Sequence, residues 1–271
     1  MNNQPIGVFD SGLGGLTVMR ELKRLLPNET LIYFGDTARV PYGSRSPETI
    51  LKYVASDIRF LRQFDVKLVV AACGTASAVA LPKLRAESDI PLISVVEPAA
   101  ASAVAKTKRG PIGVLGTQGT INSGAFKKAI SALNPDVQVI QKACPMFVPL
   151  VENGYMNPEN PVTRLVAEEY LAELREAKVE TVIMGCTHYP LLEPFLREAL
   201  PDGVNLINVG QAAAEHLKEL LTKQDAERAD RTPPQLRYFW SENSKNPEMF
   251  RFDSDLYECL NQMEKIEIDG V

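Results

Sequence analysis

Histidine is almost absent from this chain, with two in 271 residues, and cysteine is sparse, with four. His188 and His216 lack the spacing of zinc ligands, and no two cysteines form a C-x-x-C pair, which argues against a structural zinc site. Four cysteines in so long a chain make no disulfide framework, so they are expected as free thiols in a reducing compartment. No apolar run approaches the roughly 20 residues that a membrane helix needs. No block of Lys or Arg interrupts a net charge of −5, which argues against a nucleic-acid surface. The opening stretch, Met1-Asn2-Asn3-Gln4-Pro5, has neither a basic leader nor a cleavage site. The expectation is a cytoplasmic protein with no nucleic-acid or membrane partner.

What is present is an ordinary core-forming composition, 45% hydrophobic and 23% charged. Its most informative pattern occurs twice. Leu68-Val69-Val70-Ala71-Ala72 runs into Cys73-Gly74-Thr75, and Thr181-Val182-Ile183-Met184-Gly185 runs into Cys186-Thr187-His188. Each reads as a buried strand that delivers a thiol into the turn before a helix.

The chain opens with a strand, Pro5–Asp10, a Gly-rich turn, Ser11–Gly15, and a helix to about Leu26. That turn lacks the G-x-G-x-x-G spacing of a dinucleotide fingerprint. Asp10 is either a simple cap or, at the carboxyl end of a central strand, a site residue. A second strand, Leu31–Asp36, leads into Thr37–Arg45, where Pro41-Tyr42-Gly43 predicts a turn that exposes the tyrosine hydroxyl. Helices are predicted over Pro47–Phe64, capped by Ser46, and over Ala76–Ala86, with a short strand over Ile90–Val95. Strands apolar throughout, alternating with helices, predict a parallel sheet covered on both faces.

After Glu97-Pro98 the pattern restarts. Pro111–Gln118 resembles Pro5–Gly12, and its turn offers Thr117 and Thr120, with Ser123 capping the next helix. Two copies of one α/β unit is the simplest account, and chance likeness of two parallel-sheet units is the alternative. Between them lies Lys142–Gly154, whose two prolines predict an irregular ordered segment rather than a central strand or helix. Cys144 reads there as packing, and Glu152 as either a helix-terminal or a site carboxylate. A strand over Leu206–Val209, a helix over Gln211–Leu221 carrying a structural His216, a linker over Thr222–Pro234, an edge strand over Leu236–Trp240 and a tail helix near Pro247–Met263 holding a buried Cys259 complete the prediction.

A thiol is reactive as thiolate, and a helix N-terminus helps form it. One such cysteine suggests a covalent nucleophile. Two, at matching points of paired units, suggest proton transfer on opposite faces of one carbon, as racemisation requires.

These residues also carry a resemblance. Phe9–Val18, Gly35–Gly43, Cys144–Glu152 and Gly185–Leu192 are similar to the signatures of bacterial glutamate racemases, with likeness spanning roughly residues 5–220. The resemblance implies two pseudo-symmetric α/β domains, 1–97 with 208–271 and 98–207, and a site in the cleft between them. It implies a cofactor-independent, metal-free enzyme that interconverts L- and D-glutamate for peptidoglycan and self-associates as a homodimer. Cys73 would take the α-proton from D-glutamate and Cys186 from L-glutamate, with Asp10 assisting the first and Glu152 and His188 the second. Substrate contacts are implied at Asp10, Ser11, Pro41, Tyr42, Gly43, Gly74, Thr75, Thr117, Thr120, Thr187 and His188. Aspartate racemases share the two-cysteine plan without these phrases.

One position departs from the pattern. The family usually has Cys-Asn-Thr where this chain has Cys73-Gly74-Thr75. Loss of one hydrogen bond to a charged substrate group is worth on the order of 1.5–3 kcal/mol. Weaker substrate binding, reversed by Gly74→Asn, is therefore expected.

Overall fold

The computed structural model describes residues 2–230, 232–242, 250 and 253–267. The apolar runs become strands because both their faces are covered. Every residue of β1 (Ile6–Asp10), β2 (Leu31–Gly35), β3 (Leu68–Ala71) and β4 (Leu92–Ser94) is buried, as is every residue of β5 (Ile112–Gly116). Strands β6 (Val139–Ala143), β7 (Thr181–Met184) and β8 (Asn205–Asn208) join β5, while β9 (Leu236–Trp240) and β10 (Met263–Lys265) extend the first sheet. The sheets are ordered β10-β9-β2-β1-β3-β4 and β6-β5-β7-β8, and every pairing is parallel. Both therefore contain the same run: the second strand, the first, the third and the fourth of each unit in turn. Val8 pairs with Tyr33 and Val70, and Val114 pairs with Gln141 and Ile183.

Parallel strands need crossovers, and helices provide them on both faces. Helix Pro47–Arg62 begins where Ser46 accepts from the Thr49 amide, as the sequence predicts. Helix Val209–Lys223 packs on both Leu16–Leu25 and Val96–Lys106 and so ties the two sheets together. One buried cluster runs from Val8 and Tyr33 of the first sheet to Val182 and Met184 of the second. Burial at about 25 cal/mol per Å² of apolar surface makes this shared core the main force holding the halves together.

The structure corrects several expectations. The helix predicted over Ala76–Ala86 is two, Gly74–Val79 and Leu81–Glu87, broken next to Pro82. The Pro-bearing segment contains the helix Phe147–Glu152, since Pro149 sits in its first turn, where its missing N–H has no partner to lose. Strand β9 is no edge: β10, absent from the sequence reading, lies outside it. The tail helix spans Ser254–Asn261, and part of the predicted stretch before it lies outside the described residues. Cys259 is half-buried, and His216 is exposed on its helix. Among the described residues no helix is long and apolar enough to cross a membrane.

Candidate active site

In parallel α/β sheets the carboxyl ends of the strands hold the ligand. Here those ends face one another. Ser11 follows β1, Cys73 follows β3, Thr117 follows β5 and Cys186 follows β7, and all four line one cleft of about 190 Å³. Pro41, Tyr42, Gly43 and Ser44 form one wall, and Cys144, Val148, Pro149 and Glu152 form another.

Cys73 is the N-cap of helix Gly74–Val79: its sulfur accepts from the Ala76 amide at 3.5 Å and lies 3.6 Å from Ser11 Oγ as donor. Burial first, and then Asp10, push its thiol up to about 12, so it carries its proton near neutral pH. Asp10 lies beneath, fully buried, and accepts from the amides of Gly12 (3.1 Å) and Gly15 (3.0 Å) and from Thr187 Oγ1 (3.4 Å). It is thus both the cap of the Gly-rich turn and a carboxyl beside the site. Burial raises its pKa, against the opposing pull of His188 and the two amides.

Cys186 faces different company. Its sulfur is 3.7 Å from His188 Nδ1, and His188 Nε2 is 3.2 Å from Glu152 Oε1. Burial opposes protonation of this ring, but Cys186 and Glu152 outweigh it and hold the imidazole up to about 10. Linkage gives this a testable sign. A histidine whose folded pKa is raised contributes stability that is full below its ordinary value near 6.5 and fades as pH climbs toward about 10. His188→Asn should therefore be destabilised most at pH 6, and thermal unfolding should find the gap to wild type closing by pH 10. A gap that is constant with pH would refute the ion-paired ring.

The hydroxyls also meet across the halves. Thr75 Oγ1 lies 2.9 Å from Thr117 Oγ1, and Thr120 Oγ1 is 3.0 Å from Thr117 and 3.3 Å from Thr75. Thr117 and Thr75 line the cleft, whereas Thr120 lies beneath them, 1% exposed. Thr117 accepts from the Thr120 amide and so caps helix Gln118–Ser123. Thr17 Oγ1 donates to Thr187 O at 2.9 Å, a second tie across the seam.

Tyr42 overturns an expectation. Its ring lines the cleft but it is 1% exposed, and its hydroxyl points away, onto Asp36 and, at 2.8 Å, Asp57. Arg39 closes the cluster, with Nε 2.6 Å from Asp36 and Nη2 2.9 Å from Asp57. One phenol proton cannot serve two carboxylates. Burial, and then Asp36, raise the Asp57 pKa well above the carboxylate range, so Asp57 takes up the extra proton. The sequence reading missed this cluster, although Asp57 lies on the buried stripe Ile50-Val54-Ile58-Leu61 of its helix, where an acid needs partners.

Cys144 is buried with its sulfur toward Lys142 O, as a packing residue, and burial raises its pKa. Among the described residues no group of His, Cys, Asp and Glu could hold a metal ion.

The sequence pattern of the Asp/Glu/Hydantoin racemase family matches residues 6–217. A glutamate racemase from Geobacter metallireducens is 50% identical over 216 residues, 80% of this chain and 79% of that protein. One from Streptococcus pneumoniae is 42% identical over 91% of this chain and 92% of its own. The crystal structure of the Bacillus anthracis isoform RacE1 superposes with a TM-score of 0.91 at 35% identity, covering 98% of each chain. That of the Francisella tularensis glutamate racemase in complex with D-glutamate gives 0.88 at 34% identity, covering all of both chains. The chain belongs to the Asp/Glu/hydantoin racemase family, among its glutamate racemases.

Proposed function

We propose that the chain interconverts L- and D-glutamate with two opposed thiols, without cofactor. The observation that carries this reading is the placement of Cys73 and Cys186 at matching strand ends of two sheets, in one cleft, each beside its own acid–base partner. Racemisation needs a base on one face of the α-carbon and an acid on the other. With L-glutamate bound, the Cys186 sulfur takes the α-proton, the C–H electron pair stays on carbon, and the Cys73 S–H bond delivers a proton to the opposite face. The raised pKa of Cys73 keeps its proton on sulfur, which suits it to that delivery. With D-glutamate the roles exchange, and Cys73 must first lose its proton, for which Asp10 is the nearby acceptor. His188, backed by Glu152, exchanges protons with Cys186.

The substrate carboxylates and amine are taken by Ser11, Thr75, Thr117 and Thr187, with backbone at Pro41, Gly43 and Gly74. The Tyr42 ring shapes the wall while its hydroxyl is engaged elsewhere. The partition into 1–97 with 208–271 against 98–207, a homodimeric state, a cytoplasmic location and the supply of D-glutamate to peptidoglycan complete the proposal. In deuterium oxide, with no pyridoxal phosphate, each enantiomer of glutamate should convert to the other with deuterium at the α-carbon. Conversion without label would sink the two-base reading. Aspartate, run in parallel, should turn over far more slowly.

A further inference from the structure

The turn that carries Cys186 is short of one hydrogen bond, and its sequence says why. The Cys186 carbonyl accepts from the Tyr189 amide and the His188 carbonyl from the Leu191 amide, each at 3.1 Å. The Thr187 carbonyl between them would take the amide of residue 190 in the same way, but that residue is Pro190, which has no N–H. A buried carbonyl without a partner is costly, and Thr187 is 2% exposed. The missing donor comes from the other half of the molecule. Thr17, buried on helix Leu16–Leu25, brings its Oγ1 to 2.9 Å from Thr187 O. The same hydroxyl is 2.9 Å from Gly14 O, and one hydroxyl has one proton to give. Gly14 O already accepts the Thr17 amide at 3.0 Å, whereas among the described residues no other donor reaches Thr187 O. The proton therefore belongs on Thr187 O.

We propose that Thr17 is a positioning residue for Cys186 and His188: its hydroxyl, reaching across the seam, fixes the peptide between the thiol and the imidazole. Thr187 is the one residue separating the two, so its carbonyl cannot turn without moving both. Its side chain is held from the same half of the molecule, with Oγ1 3.4 Å from Asp10 Oδ1. The first unit thus sets the geometry of the second unit's acid–base pair, in which Cys186 Sγ lies 3.7 Å from His188 Nδ1. Cys73 draws nothing from this tie, because its sulfur is held by the Ala76 amide and Ser11. Loss of the Thr17 hydroxyl is therefore a handed defect, confined to the face that Cys186 serves.

The inference rests on the racemase reading for its kinetic test. A misplacement of about 1 Å costs roughly 10²-fold in rate. Asp10 still holds the Thr187 side chain in Thr17→Val, a variant that keeps the shape and removes the donor. It should therefore lower kcat for glutamate about tenfold, with KM within about threefold. Thr17→Ser, which keeps the donor, should stay within about threefold of wild type in both. The handedness is read in deuterium oxide. Relative to wild type, Thr17→Val should exchange the α-proton of D-glutamate faster than it forms L-glutamate, because Cys73 still opens that C–H bond while reprotonation by Cys186 lags. From L-glutamate, exchange and inversion should fall together. A merely structural loss lowers exchange from both enantiomers alike. An active wild type whose Thr17→Val variant keeps its kcat, or loses exchange equally from both enantiomers, overturns the inference, and so does a Thr17→Ser variant as slow as Thr17→Val. An inactive wild type overturns the racemase reading instead. Should Thr17→Val fail to fold, Thr17→Ala decides by the same measurement: the handed loss supports the tie, and wild-type exchange from both enantiomers overturns it.

Discussion

Cys73→Ser and Cys186→Ser should each lose glutamate racemisation by at least about 10³-fold, in the middle of the range for a positioned acid or base. A serine hydroxyl keeps the shape of the site but is far too weak an acid to exchange protons near neutral pH. What separates this outcome from general damage is its handedness. With Cys186 replaced, the two-thiol reading leaves Cys73 acting on its own face, so the α-proton of D-glutamate should exchange slowly for solvent deuterium while that of L-glutamate should not. With Cys73 replaced the preference should invert. The two halves of the cleft differ enough to make the pair of experiments informative, because Cys73 sits above a carboxyl and Cys186 beside an imidazole. Loss of both exchanges in both variants would point to one thiol acting as a nucleophile. Proton NMR of the α-position in deuterium oxide reads each case directly.

Arg39→Leu should be the most destabilising single change near the cleft. Arg39 is 7% exposed and is the cation between two fully buried carboxyls, Asp36 and Asp57. Taking one partner from a buried ion pair leaves charge uncompensated and costs about 3–5 kcal/mol. For a chain of this size that is a drop in melting temperature of roughly 5–15 °C. The guanidinium also lies over the Tyr53 ring, 4.6 Å from its centroid, so packing is lost with the charge. Asp57→Asn should cost much less. Asp57 has its pKa raised in the fold, so the native state binds its proton more tightly than the unfolded state does. Its contribution to stability therefore falls as pH rises past the ordinary carboxylate value of about 3.9. An amide has no such dependence, and Asp57→Asn should gain on wild type between pH 4 and pH 7. Calorimetric melting across that window checks both results, and equal losses for Arg39→Leu and Asp57→Asn would refute the neutral Asp57.

The placement of the cleft residues was legible because they sit at strand ends. Long apolar runs stopped by Asp10, Cys73 and Cys186 show where a parallel sheet delivers its side chains, at the carboxyl ends of its strands. The paired units were legible for the same reason, since β1 and β5 open on nearly the same residues. Tyr42 was misread because a Pro-Tyr-Gly turn looks exposed until two acids, Asp36 six residues before it and Asp57 fifteen residues after it, come to its hydroxyl. Pro149 was misread because proline forbids a helix interior and not its first turn. The contact of Gly74 with Gly185 could not be read at all. Nothing local to either residue says that two turns 111 positions apart meet at their backbones.

The outer strands of the first sheet lie beyond residue 217, where the shared family pattern stops. They nonetheless reach the cleft wall. Ser241, just after β9, donates to Asp36 Oδ1 at 3.1 Å and accepts from the Ala38 amide at 2.9 Å. Strand β9 also covers β2, whose amides and carbonyls would otherwise form an open template for other chains. This tail is thus a buttress for the loop that carries Tyr42, and a shield against aggregation. A sequence change in it is felt at the wall of the cleft, one hydroxyl away.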